Sequence, residues 1–275
     1  MTTGNEEMRD EKLAATLLEL DQVVRRLRRD CPWDREQSVE DIVTHTLEET
    51  FELIDAAHAG DGGEVTGELG DLLFHIFFLA HLAEENGWGD LAGITRGIIE
   101  KLVRRHPHVY GDKTAANASE VVERWERIKR DQEGREGIFH DVPSSLPAAL
   151  YAQRLQARAA AVGFDWDRPE PIFAKIEEET AELKEALEAE EPQLEGTDKK
   201  RGTDTEAYHE VGDMLFAVVN LARKLRVDPE LALRSAGGRF QQRLELASQL
   251  AAAAGEDFSR LPQDRQEEYY QQAKS

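Results

Sequence analysis

Apolar residues recur at three- and four-residue steps along most of the chain, the period of a single helical face. Leu13, Leu17, Leu20, Val24 and Leu27 predict an amphipathic helix over residues 11–29. Asp30-Cys31-Pro32-Trp33-Asp34 ends it, because the residue before a proline is pushed out of the helical region. Ser38 is placed to cap the next helix. Ile42, Val43, Leu47, Phe51 and Ile54 carry that helix over 38–59, and Leu69, Leu72, Leu73, Ile76, Phe77 and Leu82 carry another over 64–86. Gly60-Asp61-Gly62-Gly63 parts them, and so short a break makes the two helices antiparallel neighbours. Further helices are predicted over 90–105, 119–133, 147–161, 170–190, 205–226, 229–253 and 263–273, with 191–204 an acidic loop. No segment alternates with a period of two, so the expected fold class is all-α.

The second half repeats the first. Trp33-Asp34-Arg35 returns as Trp166-Asp167-Arg168, and Glu48-Glu49-Thr50-Phe51-Glu52 as Glu178-Glu179-Thr180-Ala181-Glu182. Glu68-Leu69-Gly70-Asp71 returns as Glu210-Val211-Gly212-Asp213. Two domains with one site plan are expected, over 11–133 and 147–275, joined by a Gly- and Pro-bearing linker over 134–146.

The repeated feature is a pair of acidic helices. Glu48, Glu49 and Glu52 share one face, and Glu68 and Asp71 share another. With antiparallel helices the two groups stand at similar heights and can face each other. Like charges crowded on apolar helices destabilise them, and a hard divalent cation relieves the repulsion. The expected ligands are Glu49, Glu52, Glu68 and Asp71, and again Glu179, Glu182, Glu210 and Asp213. Oxygen-only donors favour Mg²⁺, with Mn²⁺ a possible substitute. Downstream, each half carries a cation, a cation, an aromatic and a cation in one order. These are Lys101, Arg105, Trp125 and Lys129, and then Arg239, Arg243, Tyr270 and Lys274. Cations grip phosphate oxygens and an aromatic offers a stacking face for a base, so metal, cations and aromatic together describe a nucleotide site. Each element also has a plainer reading: solvated acidic face, helix-end charge compensation, core aromatic. The ordered duplication favours the joint one.

Net charge narrows the partners. The chain has 275 residues and a formal charge of −22, the wrong sign for nonspecific nucleic-acid binding. No apolar run approaches the ~20 residues of a membrane span, the N-terminal stretch lacks an apolar signal core, and the single cysteine, Cys31, cannot form an intrachain disulfide. A cytoplasmic protein with neither nucleic acid nor membrane as partner is expected. His75 and His81 have Ala217 and Arg223 at the matched positions and read as structural or peripheral. A phosphate-binding Gly-rich loop is absent, and neither acidic repeat contains the Glu-x-x-His of a di-iron bundle.

The motif Glu-Glu-x-x-Glu, a gap, then Glu-x-x-Asp, twice over, resembles the MazG family of nucleoside triphosphate pyrophosphohydrolases. Cys31-Pro32-Trp33-Asp34-Arg35-Glu36-Gln37 and Arg104-Arg105-His106-Pro107-His108-Val109 are similar to strings of its two-domain members. The resemblance spans about 11–275. It implies tandem four-helix-bundle modules completed by homodimerisation. It also implies Mg²⁺-dependent hydrolysis of ribo- and deoxynucleoside triphosphates, over a broad base range, to monophosphate and pyrophosphate. In that chemistry Glu48 and Glu178 orient or deprotonate a water whose pKa the metal lowers, and the cations stabilise the leaving pyrophosphate. Arg239, Tyr270 and the Gly237-Gly238 pair depart from the family pattern in the second half. One alternative keeps only one domain catalytic, the other serving as a nucleotide-binding or dimerisation module.

Overall fold

The computed structural model describes residues 3–112, 114, 117, 120–121, 137–140, 142–189, 203 and 205–274. Helix α1, Thr3–Asp30, starts earlier than its apolar stripe predicts. Residues 6–12, mostly Glu, Met, Arg and Lys, are good helix formers without Gly or Pro. After a 3₁₀ turn at Asp34–Glu36, helix α2 spans Val39–Ala59. Ser38 caps it reciprocally: its Oγ accepts from Asp41 N at 3.2 Å, and its own N donates to Asp41 Oδ2 at 2.8 Å. Gly60 closes α2 in the left-handed region, φ +73°, a conformation that costs a residue without Cβ little. Asp61 then caps α3, Gly62–Glu85, by accepting from the backbone N of Gly63 and Glu64. Gly62 and Gly63 therefore belong to the first turn of α3, and the break shrinks to two residues. Helices α4, Leu91–Arg105, and α5, Pro107–Tyr110, follow.

Downstream, α6 is Ala148–Ala161, α7 Glu170–Ala189, α8 Glu206–Lys224, α9 Pro229–Ala253 and α10 Gln263–Gln272. No strand occurs among the described residues, and the protein is all-α. Helix α9 runs unbroken through Gly237 and Gly238. Most of the helix expected over 119–133, including Trp125 and Lys129, lies outside the described residues, as does nearly all of 191–204.

The chain divides into two compact units, Met1–Val121 and Val122–Ser275. In the first, α1, α2 and α4 pack against α3. Val24, Ile42, Phe77, Phe78 and Leu82 form its core, with Phe74 edge-on to Phe78. Arg28 pins the bend after α1: Nη1 donates to Asp34 O at 2.6 Å and Gln37 O at 3.0 Å, and Nη2 to Glu85 Oε2 at 2.8 Å. In the second unit, α7 and α6 pack against α8, α9 packs against α6 and α8, and α10 packs against α9. Ala247 and Ala251, both wholly buried, let α10 approach and seat Tyr269.

The structure adds two findings to this reading. Leu13, Leu17, Val43, Leu47, Leu69, Leu73, Ile76, Ile94, Ile98 and Leu102 belong to the predicted apolar stripes, yet all are exposed, and α4 buries no residue at all. The stripes are wider than the neighbours within the unit can cover. In addition, α3 is long and apolar enough by length and composition alone to cross a membrane. It owes that to a central place in its unit, where its second half supplies Phe77, Phe78 and Leu82 to the core.

Candidate metal centres

Packing α2 against α3 across a two-residue turn brings Glu49, Glu68 and Asp71 together. One carboxylate oxygen from each lies within 4.8 Å of the others. In the second unit α7 and α8 bring Glu179, Glu210 and Asp213 together to the same tolerance. Six of the eight residues expected as metal ligands are thus gathered in two groups of three, while Glu52 and Glu182, one turn further along their helices and exposed, stand outside both.

The first group is electrostatically frustrated. Burial, then the adjoining Glu49 carboxyl, then the charges of Glu49 and Asp71, push Glu68 above the usual carboxylate range. Its Oε2 is buried without a hydrogen-bond partner. An orphaned carboxylate oxygen in an all-oxygen donor set fits a hard divalent cation. Glu48 is exposed, and its Oε2 lies 3.1 Å from His45 Nδ1. A ring wall stands alongside, with Trp33 5.9 Å from His45 and His45 6.4 Å from His75 between centroids. His75 is buried, which lowers its pKa, with His45 adding to the effect and Asp71 opposing it. His81 is also buried, its Nε2 2.9 Å from Asp21 Oδ1.

The second group differs in kind. Lys175 Nζ lies 2.7 Å from Glu178 Oε1 and 2.7 Å from Glu179 Oε1. Those two bonds hold the ammonium well above the usual lysine range. Glu179 is buried, 5% exposed. Glu182, exposed overall, is pushed up first by partial desolvation of its carboxyl, then by the charge of Glu179 against the opposing pull of Lys175, with Glu210 and Glu178 adding to the rise. A cavity of about 800 Å³ opens beside these residues, bordered by Trp166, Lys175, Glu179, Asp213 and Ala217. Such a volume suits a drug- or nucleotide-sized ligand. Ala217, at the position matching His75, lines its wall. Asp165 anchors the rim: it pairs with Arg223, and its Oδ2 accepts from Lys224 Nζ at 3.0 Å. Burial works against its ionisation, but the bonds from Arg223 and Lys224 prevail and hold it below the usual carboxylate range.

Among the expected phosphate and base contacts, Lys101 and Arg105 are half-buried on α4, which packs on the carboxylate-bearing α3. Arg239 is exposed and its Nη1 donates to Ser235 Oγ at 2.7 Å; Arg243 is half-buried. Tyr270 packs against the Ala247–Ala251–Tyr269 core, with Phe240 5.8 Å away and Lys274 Nζ 4.7 Å above its ring. The residues that sequence reasoning missed are His45 and Lys175. Each precedes its Glu-Glu pair by three and four positions, the spacing at which helical side chains meet.

Known proteins resemble this chain in sequence. A model of the MazG nucleotide pyrophosphohydrolase domain matches residues 37–110, the stretch that holds the first carboxylate group. The chain is 41% identical over 261 residues to a nucleoside triphosphate pyrophosphohydrolase of Escherichia coli, covering 94% of this chain and 95% of that one. It is 37% identical over 246 residues to the nucleoside triphosphate pyrophosphohydrolase/pyrophosphatase MazG of Thermotoga maritima, covering 89% of each. A crystal structure of a mazG-related protein from Thermotoga maritima is 24% identical with a TM-score of 0.38, covering 41% of this chain and 98% of that one.

Proposed function

Because the chain belongs to the MazG family of nucleoside triphosphate pyrophosphohydrolases, we propose that it hydrolyses nucleoside triphosphates at the α-phosphorus, to nucleoside monophosphate and pyrophosphate. The substrates are ribo- and deoxynucleotides over a broad range of bases. The observation that carries this reading is the duplicated group of three close carboxylates, with the partnerless Glu68 Oε2 in the first.

Glu49, Glu52, Glu68 and Asp71 would hold Mg²⁺, or Mn²⁺ in its place, and Glu179, Glu182, Glu210 and Asp213 would hold it in the second unit. The ion supplies neutralisation of the polyphosphate and polarisation of its phosphoryl oxygens. Glu48 and Glu178 orient the attacking water and accept its proton as its oxygen bonds to the α-phosphorus. The bond from that phosphorus to the bridging oxygen breaks, and the electron pair leaves with pyrophosphate. Lys101, Arg105 and Lys129, or Arg239, Arg243 and Lys274, steady that developing charge. Trp125 and Tyr270 offer stacking faces for the base. The exposed apolar side chains of α2, α3 and α4 support a homodimer. A formal charge of −22 supports the absence of nucleic-acid partners, and a cytoplasmic location is part of the same proposal.

A second reading has one specific observation in its favour: Lys175 already occupies Glu178 and Glu179, whereas the first unit has His45 there. On that reading the units differ, one catalytic and the other a nucleotide-binding or dimerisation module. A panel of triphosphates with Mg²⁺, run on wild type, Glu52→Gln and Glu182→Gln, tests both. Pyrophosphate is the expected first product, and orthophosphate in its place refutes the main reading. Loss of all turnover from only one of the two substitutions selects the second.

A further inference from the structure

The cavity of the second unit joins the carboxylate group to an aromatic wall: Glu179 and Asp213 border it, and so do Phe164, Trp166 and Phe216. Two buried amides border it as well, Gln156 and Asn220. Their bonds fix which way each amide faces. A guanidinium only donates, and Arg223 donates to Asn220 Oδ1 from Nε at 2.9 Å and from Nη2 at 2.7 Å. Arg223 is itself held by Asp165, whose Oδ2 accepts from its Nη1 at 3.2 Å. The Nδ2 of Asn220 is what remains, a donor at the cavity. A backbone carbonyl only accepts, and Gln156 Nε2 donates to Phe216 O at 2.8 Å, one turn before Asn220 on α8. Gln156 Oε1 is left buried without a hydrogen-bond partner, which is costly for an acceptor. The first unit differs here. Phe78 stands at the position matching Asn220 and is wholly buried in the core with Val24, Ile42 and Leu82.

We propose that this cavity is the base subsite of the second unit, where Asn220 Nδ2 donates to an acceptor on the base edge and Gln156 Oε1 accepts from a base N–H. The inference rests on the reading above that the protein takes nucleoside triphosphates. An apolar pocket with a few convergent polar groups is the usual form of a small-molecule site. Aromatic walls with hydrogen bonds to the pairing edge are how an unstacked base is held, and each common base carries a donor and an acceptor there. Asp165 and Arg223 act as positioning residues, turning the donor end of Asn220 toward the ligand. Tyr270 does not border the cavity, and Phe240 and Lys274 already stand against its ring.

Steady-state hydrolysis by the full-length chain carrying Glu49→Gln/Glu68→Gln, which silences the first group, tests this. Nucleoside triphosphates are compared with ribose 5-triphosphate, which has the sugar and phosphates but no base. This parent chain should favour the nucleotides through KM by about tenfold or more. Asn220→Asp keeps the shape and the Arg223 contact but replaces the donor by an acceptor. It should shrink that advantage about tenfold, through KM more than kcat. Ala159→Phe, which fills the cavity from its wall, should shrink it as well. An advantage that survives Asn220→Asp overturns the proposal, and so does a parent chain that shows none. An advantage lost in Tyr270→Ala but kept in Asn220→Asp seats the base on Tyr270 instead and overturns it too. Should Asn220→Asp fail to fold by far-ultraviolet circular dichroism, an advantage intact in Ala159→Phe overturns it in its place. Wild-type protein that releases no pyrophosphate from any nucleotide overturns the proposed function and this inference together. Turnover lost on silencing the first group overturns this inference alone.

Discussion

Gly237 and Gly238 lie in the interior of α9, with neither residue in the left-handed region. A methyl group built on either meets nothing within 4 Å. Both are exposed. Glycine in a helix interior costs about 0.5–1 kcal/mol against alanine, chiefly through the freedom it adds to the unfolded chain. Gly237→Ala/Gly238→Ala should therefore stabilise the second unit by about 1–2 kcal/mol. With a urea slope of about 2 kcal/mol per molar, the midpoint of its transition should rise by roughly 0.7 M. Urea titration by circular dichroism measures the shift, and hydrogen exchange of peptides from α9 locates it, with slower exchange expected on either side of the substitutions. An unchanged or lower midpoint refutes the reasoning, because it would mean that these positions are covered or that α9 must bend there. Arg239 is the next residue, so turnover measured on the same protein separates the two. Stability gained with activity retained means the glycines are a plain cost. Stability gained with activity lost means α9 must flex for Arg239 to work.

Other predictions follow from single contacts. Asp165→Asn removes the partner of Arg223 and Lys224 and should cost about 2 kcal/mol. Its folded pKa is depressed, so its contribution is present above the ordinary aspartate value of about 3.9 and is lost as pH falls below that value through the folded one. Wild type and Asp165→Asn should accordingly converge in melting temperature on acidification. Phe78→Ala empties a fully buried position of the first core and should cost about 3–5 kcal/mol, read as loss of the first unit's transition in the same urea titration. Treatment with a chelator should abolish triphosphate hydrolysis and added Mg²⁺ should restore it; persistent hydrolysis in chelator would contradict the carboxylate reading.

Helices could be read from the chain because their ends carry local chemistry. Ser38 with Asp41, Gly60 with Asp61, Thr205 and Asp228 all stand where caps form, and each does cap or close its helix. The grouping of Glu49, Glu68 and Asp71 was legible for a similar reason, since a short turn and a fixed rise per residue set the heights of two neighbouring helices. Lys175 carries a local signal as well, since it stands one turn before Glu178 and Glu179 and pairs with both. Asp165, Arg223 and Lys224 gave no such signal, being 58 and 59 residues apart and joined only by packing. Leu47 and Ile98 show a different limit. Periodicity identifies the apolar face of a helix but not whether anything lies against it.

The turn at Gly60 and Asp61 also bears on how fast each centre assembles. Two residues separate α2 from α3, whereas 16 separate the described ends of α7 and α8. Closing a longer connection costs more chain entropy, so the second helical hairpin begins behind the first. The first carboxylate trio is thus the one a refolding or newly synthesised chain can close early. It needs no distant contact to do so, and the first unit is also the first to leave the ribosome. Lengthening the turn would slow closure of this hairpin, while residues added between α7 and α8 would matter less, since closure cost grows only with the logarithm of length.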